Sequence, residues 1–449
     1  MTTRRRFLRG AAGAMAIGAT AVSGSRVLGA SDRVRVALVG CGGRGRFVAG
    51  LMRQVEGVEF VAACDVYQAR AESAKKWAGD GSDSCGDFRK VLDRKDVDAV
   101  LIATPDHWHA TIAVLACRAG KDVYVEKPLA HNVREGRAVV EAARKYNRVV
   151  QVGTQQRSAP HYREIARIVH GGEIGPVHFV RIWNYMNLWP NGIGKAEDSD
   201  PPPGVDWDMY LGPAPLRPFN KNRFVSTFRW FWDYAGGMAT DWGTHRFDSM
   251  HEIMGADAPL TISAAGRRYE LNDGAETPDF LQITYEYPQF TVSYEASNIN
   301  AFGAGGRLAA KTYYKSSGAG YDRPNGEAFY GTKGTIVSDR VGYELYREPA
   351  VLARQGKAVS AEYLKPTVVA AEDATAVHVR NFIDCVRSRQ RPSADVEIGH
   401  RSSIVPHLGN IAYRTGRKIR WDADREQIVG DPDAAKLLSR EARKPWDLI

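Results

Sequence analysis

The sequence predicts an α/β chain in two parts: a parallel sheet wound with helices on both faces, then an α+β domain on a largely antiparallel open sheet. Three observations carry this. From Val34 to Val152 short β-rich runs alternate with helical stretches, the pattern of a parallel sheet. Between the first run and the first helix stands Gly40-Cys41-Gly42-Gly43-Arg44-Gly45, a glycine turn suited to a pyrophosphate. Past Gly153 the texture changes to alternating strands separated by longer loops. The first part is therefore expected to be an N-terminal Rossmann dinucleotide-binding domain, residues 33–155, and the second a substrate-binding domain, residues 156–449.

Strands are expected over 34–39, 59–64, 98–103, 122–125 and 149–152, with their ligand at the carboxyl ends. In the second part a helix over about 160–170 precedes a strand over about 177–185 and a loop rich in Pro and Gly around 190–204. Alternating strands over 281–287, 290–295 and 335–339 imply a sheet covered by helices on one face only. Helices return over about 375–387 and 399–415.

At 449 residues the chain exceeds what one core supports, so two domains with appendages are expected. Its net charge of +9 is concentrated: Arg4, Arg5, Arg6, Arg9 and Arg26 fall in the first thirty residues, which hold no acid. Setting those five aside leaves +4, from 56 basic and 52 acidic residues. That excess is too mild for a nucleic-acid partner, and no basic run interleaved with aromatics occurs. Thr3-Arg4-Arg5-Arg6-Phe7-Leu8-Arg9, a weakly apolar stretch over 11–22 and small residues at Gly29-Ala30 have the pattern of a twin-arginine signal peptide over residues 1–30. The stretch is too short and too rich in Ala and Gly for a stable membrane span. Cleavage near Ala30, passage through the twin-arginine export machinery and a periplasmic or exported destination are expected. Cys41, Cys64, Cys85, Cys117 and Cys385 form no closely spaced pair, which suits a protein that folds before export.

In the glycine turn, Gly40 permits the sharp bend, Gly42 lets the backbone approach phosphate, and Gly45 lets helix and strand pack closely; Gly43 and Arg44 complete the cradle. Asp65, twenty residues on at the end of the second strand, is placed to accept both ribose hydroxyls of NAD and to repel a 2′-phosphate. NAD is therefore favoured, with NADP left open by Arg44 and Arg70. Thr104-Pro105 ends the next long strand, where ribose and nicotinamide pass. His109 opens the following helix, either touching the cofactor or packing there. Glu126-Lys127-Pro128 closes another strand, and the proline restricts its lysine where a substrate oxygen meets the nicotinamide. Further on, Gly236-Gly237 leads into a helix carrying Asp241 and His245, one turn apart on one face. A carboxylate so placed can fix the imidazole tautomer, and a neutral histidine serves as general base. The surroundings are aromatic, which suits pyranose rings, and Tyr185 and Trp189 are the expected substrate contacts. Arg157 either binds a substrate oxygen or pairs with an acid at the domain seam. No metal is expected, because three ligands at metal spacing are absent.

Together, Gly40 to Gly45, Asp65, Thr104-Pro105, Glu126-Lys127-Pro128 and the Asp241/His245 pair make the chain resemble the Gfo/Idh/MocA oxidoreductases, over nearly everything after the signal peptide. The resemblance implies a second domain whose open sheet mediates homo-oligomer contacts, a carbohydrate substrate, and a site in which Lys127 binds the reacting hydroxyl and His245 is the base. For an exported member it also implies tightly bound NAD or a redox-neutral cycle. Three outcomes follow: oxidation of a sugar, polyol or glycoside hydroxyl; glycoside cleavage through a transient keto intermediate; or a carbohydrate-binding protein that keeps NAD as structure alone.

Overall fold

The computed structural model describes residues 33–79, 81–303 and 323–447; residues 1–30, where a signal peptide is expected, lie outside them. Six parallel strands form the first sheet: β1 (Val34–Val39), β2 (Val58–Cys64), β3 (Asp83–Cys85), β4 (Ala99–Ile102), β5 (Asp122–Val125) and β6 (Val150–Val152). Their order, β3-β2-β1-β4-β5-β6, is that of a Rossmann domain. Five of these were expected from apolar runs. The three-residue edge strand β3, Asp-Ser-Cys, has no such run. Order reverses between β1 and β4, and there the strand ends open a crevice.

In the second part a ten-stranded sheet runs from Thr367–Ala370 at one edge to Gln427–Ile428 at the other. At its centre β7 (Val177–Tyr185) pairs parallel with Thr291–Ser297 and antiparallel with Asn325–Gly331; all other pairs are antiparallel. Helices Pro160–His170, Gly243–Met254 and Val396–Thr415 cover one face and seal Phe247, Met250, Ile283, Tyr285 and Leu408 beneath them. The other face carries polar side chains such as Arg181, Glu295 and Ser293.

Two late segments return to the first sheet. Helix Thr375–Ser388 lays Val379, Phe382 and Ile383 against Val34, Val36 and Met52. Trp446 inserts beside Phe88 and Trp108, its ring centre 4.8 Å from that of Trp108. The parts thus share cores, although the chain passes from one to the other near residue 156.

Candidate active site

A cavity of about 840 Å³ opens at the carboxyl ends of β1, β2, β4 and β5 and extends to the helices of the second part. On its dinucleotide side Gly40 has φ +92°, and a Cβ there would lie 2.6 Å from the Ala103 carbonyl. A Cβ on Gly45 would lie 2.1 Å from the Gly40 carbonyl oxygen, so only glycine lets helix Gly43–Arg53 start against the turn. Gly43 faces open space at that helix's N-terminus, where backbone N–H groups and the helix dipole favour phosphate. Gly45→Ala is accordingly expected to weaken NAD binding about tenfold or more, as measured by fluorescence titration. Asp65 accepts from the Cys41 and Tyr67 backbone N–H groups at 2.8 and 2.9 Å, which fixes its carboxylate at the end of β2. Burial raises its pKa against those two bonds. These residues fit a dinucleotide.

Arg44 donates to Glu126 Oε1 at 2.8 Å, so it is committed to the end of β5. Arg70, whose Nη1 is 3.5 Å from the site of a Cβ on Gly42, is a second cation beside the glycine turn. Thr104 presents a buried, unpartnered hydroxyl at the cavity, and Pro105 caps helix Asp106–Arg118. His109 is 1% exposed and lies between two carbonyls, Pro128 at 2.7 Å from Nδ1 and Thr104 at 2.9 Å from Nε2. Burial lowers its pKa against the pull of those two carbonyls, and the ring ties the turns after β4 and β5 together while touching the cavity.

Lys127 Nζ donates to the Asp241 carboxylate at 2.5 Å and to the Asp241 carbonyl at 2.8 Å. The other carboxylate oxygen lies 3.1 Å from Arg229 Nε. Burial alone would raise the Asp241 pKa; Lys127 and Arg229 outweigh it and hold the group well below the usual carboxylate range. His245 lines the same cavity with its Nδ1 buried and unpartnered. Burial first, then the charges of Arg340 and Lys127, push its pKa well down, which leaves it neutral. The expected Asp241–His245 couple is therefore corrected: the carboxylate holds Lys127 and Arg229 instead. The helix is interrupted at Trp242, between Gly237–Asp241 and Gly243–Met254, and Lys127 competes for the carbonyl at that point. An i,i+4 spacing brings side chains together only along an unbroken helix.

Residues 34–154 match the family model for the oxidoreductase NAD-binding Rossmann fold, and residues 163–292 and 362–448 match the C-terminal α/β domain of the same family. The chain belongs to the Gfo/Idh/MocA oxidoreductase family. As a Gfo/Idh/MocA member it is an oxidoreductase with NAD as its cofactor. It is 24% identical over 402 residues to a scyllo-inositol 2-dehydrogenase (NAD(+)) of Bacillus subtilis, covering 88% of this chain and 98% of that one. An inositol 2-dehydrogenase of Salmonella typhimurium is 39% identical over 127 residues, 28% of this chain and 38% of that protein. Two solved structures share the Gfo/Idh/MocA architecture. Levoglucosan dehydrogenase, in complex with NADH and levoglucosan, has a TM-score of 0.64 at 17% identity, over 86% of this chain and 99% of that one. The aldose-aldose oxidoreductase of Caulobacter crescentus has a TM-score of 0.62 at 18% identity, again over 86% and 99%. At these identities the likeness shows the fold.

Three expected substrate contacts stand outside the Gfo/Idh/MocA cavity. Arg157 pairs with buried Asp248 at 3.1 Å, which makes it a strut at the seam. Tyr185 donates to Glu295, beside Arg181, on the polar face of the sheet. Trp189 is 59% exposed; its neighbour Leu188 lines the cavity. Among the cavity residues that the sequence reading did not single out are Asp106, Gln155, Arg229 and Arg340. Asp106 had a signal, since it follows Thr104-Pro105 and opens the next helix; Arg229 sits in the short 3-10 helix Val225–Trp230 and Arg340 in a turn, and no periodicity marks either. Burial lifts the Asp106 pKa to about 7, against the opposing charge of Lys127. Folding thus raises this pKa, and the unfolded chain releases the proton first as pH climbs, so stability falls between about pH 4 and 7. Asp106→Asn removes that loss. Its stability relative to wild type is expected to rise between about pH 4 and 7, by up to about 4 kcal/mol, in thermal unfolding.

Proposed function

We propose that the enzyme oxidises a hydroxyl of a sugar, polyol or glycoside. The observation that carries this is the convergence of Lys127, held by Asp241, and neutral His245 on the cavity that also receives the dinucleotide. NAD, when bound, supplies the hydride acceptor. Lys127 donates to the hydroxyl oxygen and stabilises the alkoxide that develops there. His245 takes the proton, for which it must begin neutral, as burial and the cations around it ensure. Asp241 is a positioning residue: its carboxylate fixes the Lys127 ammonium and is shared with Arg229. The inositol and levoglucosan dehydrogenases support this substrate class through their own names.

Export through the twin-arginine pathway, resting on residues 3–9, is part of the proposal, and with it a cofactor that stays bound through turnover. The test is a panel of polyols, pyranoses and glycosides given to the purified chain, with NADH absorbance followed and the nucleotide released by denaturation quantified. NADH formed from at least one hydroxyl substrate is expected. A chain that binds NAD and leaves every member unoxidised overturns the reading, and release of an aglycone without a second substrate replaces it with glycoside cleavage.

A further inference from the structure

The half of the cavity beyond Lys127 holds more positive charge than the protein neutralises. Lys127 and Arg229 share a single carboxylate, that of Asp241. Asp106, the other acid there, is 7% exposed and so reluctant to ionise that it is only partly charged near neutrality. Arg340 enters the cavity from the turn between strands Gly334–Asp339 and Gly342–Arg347. Its guanidinium lies 4.9 Å from the centre of the Trp242 ring. Its Nε is buried without a hydrogen-bond partner, and no ion pair joins it to a described residue. The contrast with other inward-facing arginines is plain: Arg44 has Glu126, and Arg323 has Asp339 and Glu344.

A guanidinium held over an indole by a cation–π contact is restrained, and its N–H groups form a fork that matches a carboxylate or a phosphate ester. A part-enclosed cavity with surplus positive charge also concentrates anions. We propose that Arg340 receives an anionic group of the substrate, so that the enzyme acts on acidic sugars, bearing a carboxylate or a phosphate, in preference to neutral ones. The inference rests on the hydroxyl-oxidising reading of the same site. Arg340 and Lys127 both bear on the His245 imidazole, as do Arg44 and Arg246. An anion paired with Arg340 therefore cancels a charge that opposes protonation of the base. An acidic substrate gains in the chemical step as well as in binding.

The test uses the NAD-loaded full chain and matched sugars of the gluco, galacto and manno series: the hexuronate, the hexose 6-phosphate and the neutral hexose. Calorimetry reads binding, and NADH absorbance reads turnover. At least one anionic sugar is expected to bind about tenfold or more tighter than its neutral parent, by a margin that shrinks with added salt. The hexuronate and phosphate arms identify which anion it is. In Arg340→Ala the ratio of acidic to neutral binding is expected to approach one, and Arg340→Lys keeps part of it; NAD content and unfolding temperature confirm that each variant is folded. Equal binding of acidic and neutral sugars, no binding of any anionic sugar, or a preference that survives Arg340→Ala overturns the inference. Preferential binding through Arg340 without any NADH formed leaves it standing and defeats the hydroxyl-oxidising reading. Efficient oxidation of neutral sugars with no preference for acids does the reverse.

Discussion

Replacing Lys127 with alanine is expected to lower turnover about a hundredfold or more, while NAD binding stays close to that of the parent enzyme. The ammonium lies in a cavity walled by Trp230, Trp242 and Phe228, where water screens a charge poorly. As the hydroxyl proton leaves, the charge that builds on oxygen meets a donor already in place. A preorganised donor of this kind is worth about 3 kcal/mol. The variant also frees Asp241 from one of its two cations, so part of the loss comes from a carboxylate left with Arg229 alone. Lys127→Met, which keeps the stem and removes the charge, has the same partners to disturb and separates nothing; Lys127→Arg does, because it preserves the ion pair and displaces the donor. Single-turnover measurement of NADH formation decides the matter. A Lys127→Ala enzyme with near-normal turnover has no alkoxide resting on that residue.

His245→Ala carries the second large effect, again about a hundredfold or more in turnover. Its signature is in the pH profile. A base works only when unprotonated, and burial together with Arg340, Lys127, Arg44 and Arg246 keeps this imidazole free of its proton well below the ordinary histidine range near about pH 6.5. Wild-type kcat/KM should therefore hold on the acid side past the point where an ordinary histidine fails, and fall only below it. In His245→Ala the residual rate should lose that limb and rise toward high pH, where hydroxide replaces the base. An acid limb centred at the ordinary histidine value, or one unchanged in the variant, would falsify the assignment.

Much of this site was legible because its signals are local. A glycine turn after an apolar run, an acid at the next strand's end and a lysine before proline each announce themselves within a few residues. Gly40, Asp65 and Lys127 accordingly line the cavity as expected. Helix Pro160–His170 was legible too, since proline can open a helix and the buried His161, Tyr162, Ile165 and Ile168 repeat at helical spacing. What escaped depends on partners far along the chain. Asp241 was read with the residue four ahead, whereas its cation comes from 114 residues back, in the other part of the fold. Tyr185 shows the limit of a period of two: alternation places it with Arg181 on one face of β7, but not which face the helices will cover. Arg340 had no pattern to give it away, since its role comes from a turn that reaches over Trp242.

The return of the chain's last segments to its first sheet has a bearing on how the molecule comes into being. β1 leaves the ribosome well before the segments that cover it: part of its covering is Phe382 and Ile383, and the wall beside Trp108 is closed by Trp446. A vectorially emerging polypeptide can pair its strands early but cannot finish this hydrophobic interior until those later segments have emerged. The nucleotide-binding half is thus made before the segments that seal it, and quality control that senses exposed apolar surface would see the loss of helix Thr375–Ser388 or of Trp446 as a defect some three hundred residues away in sequence.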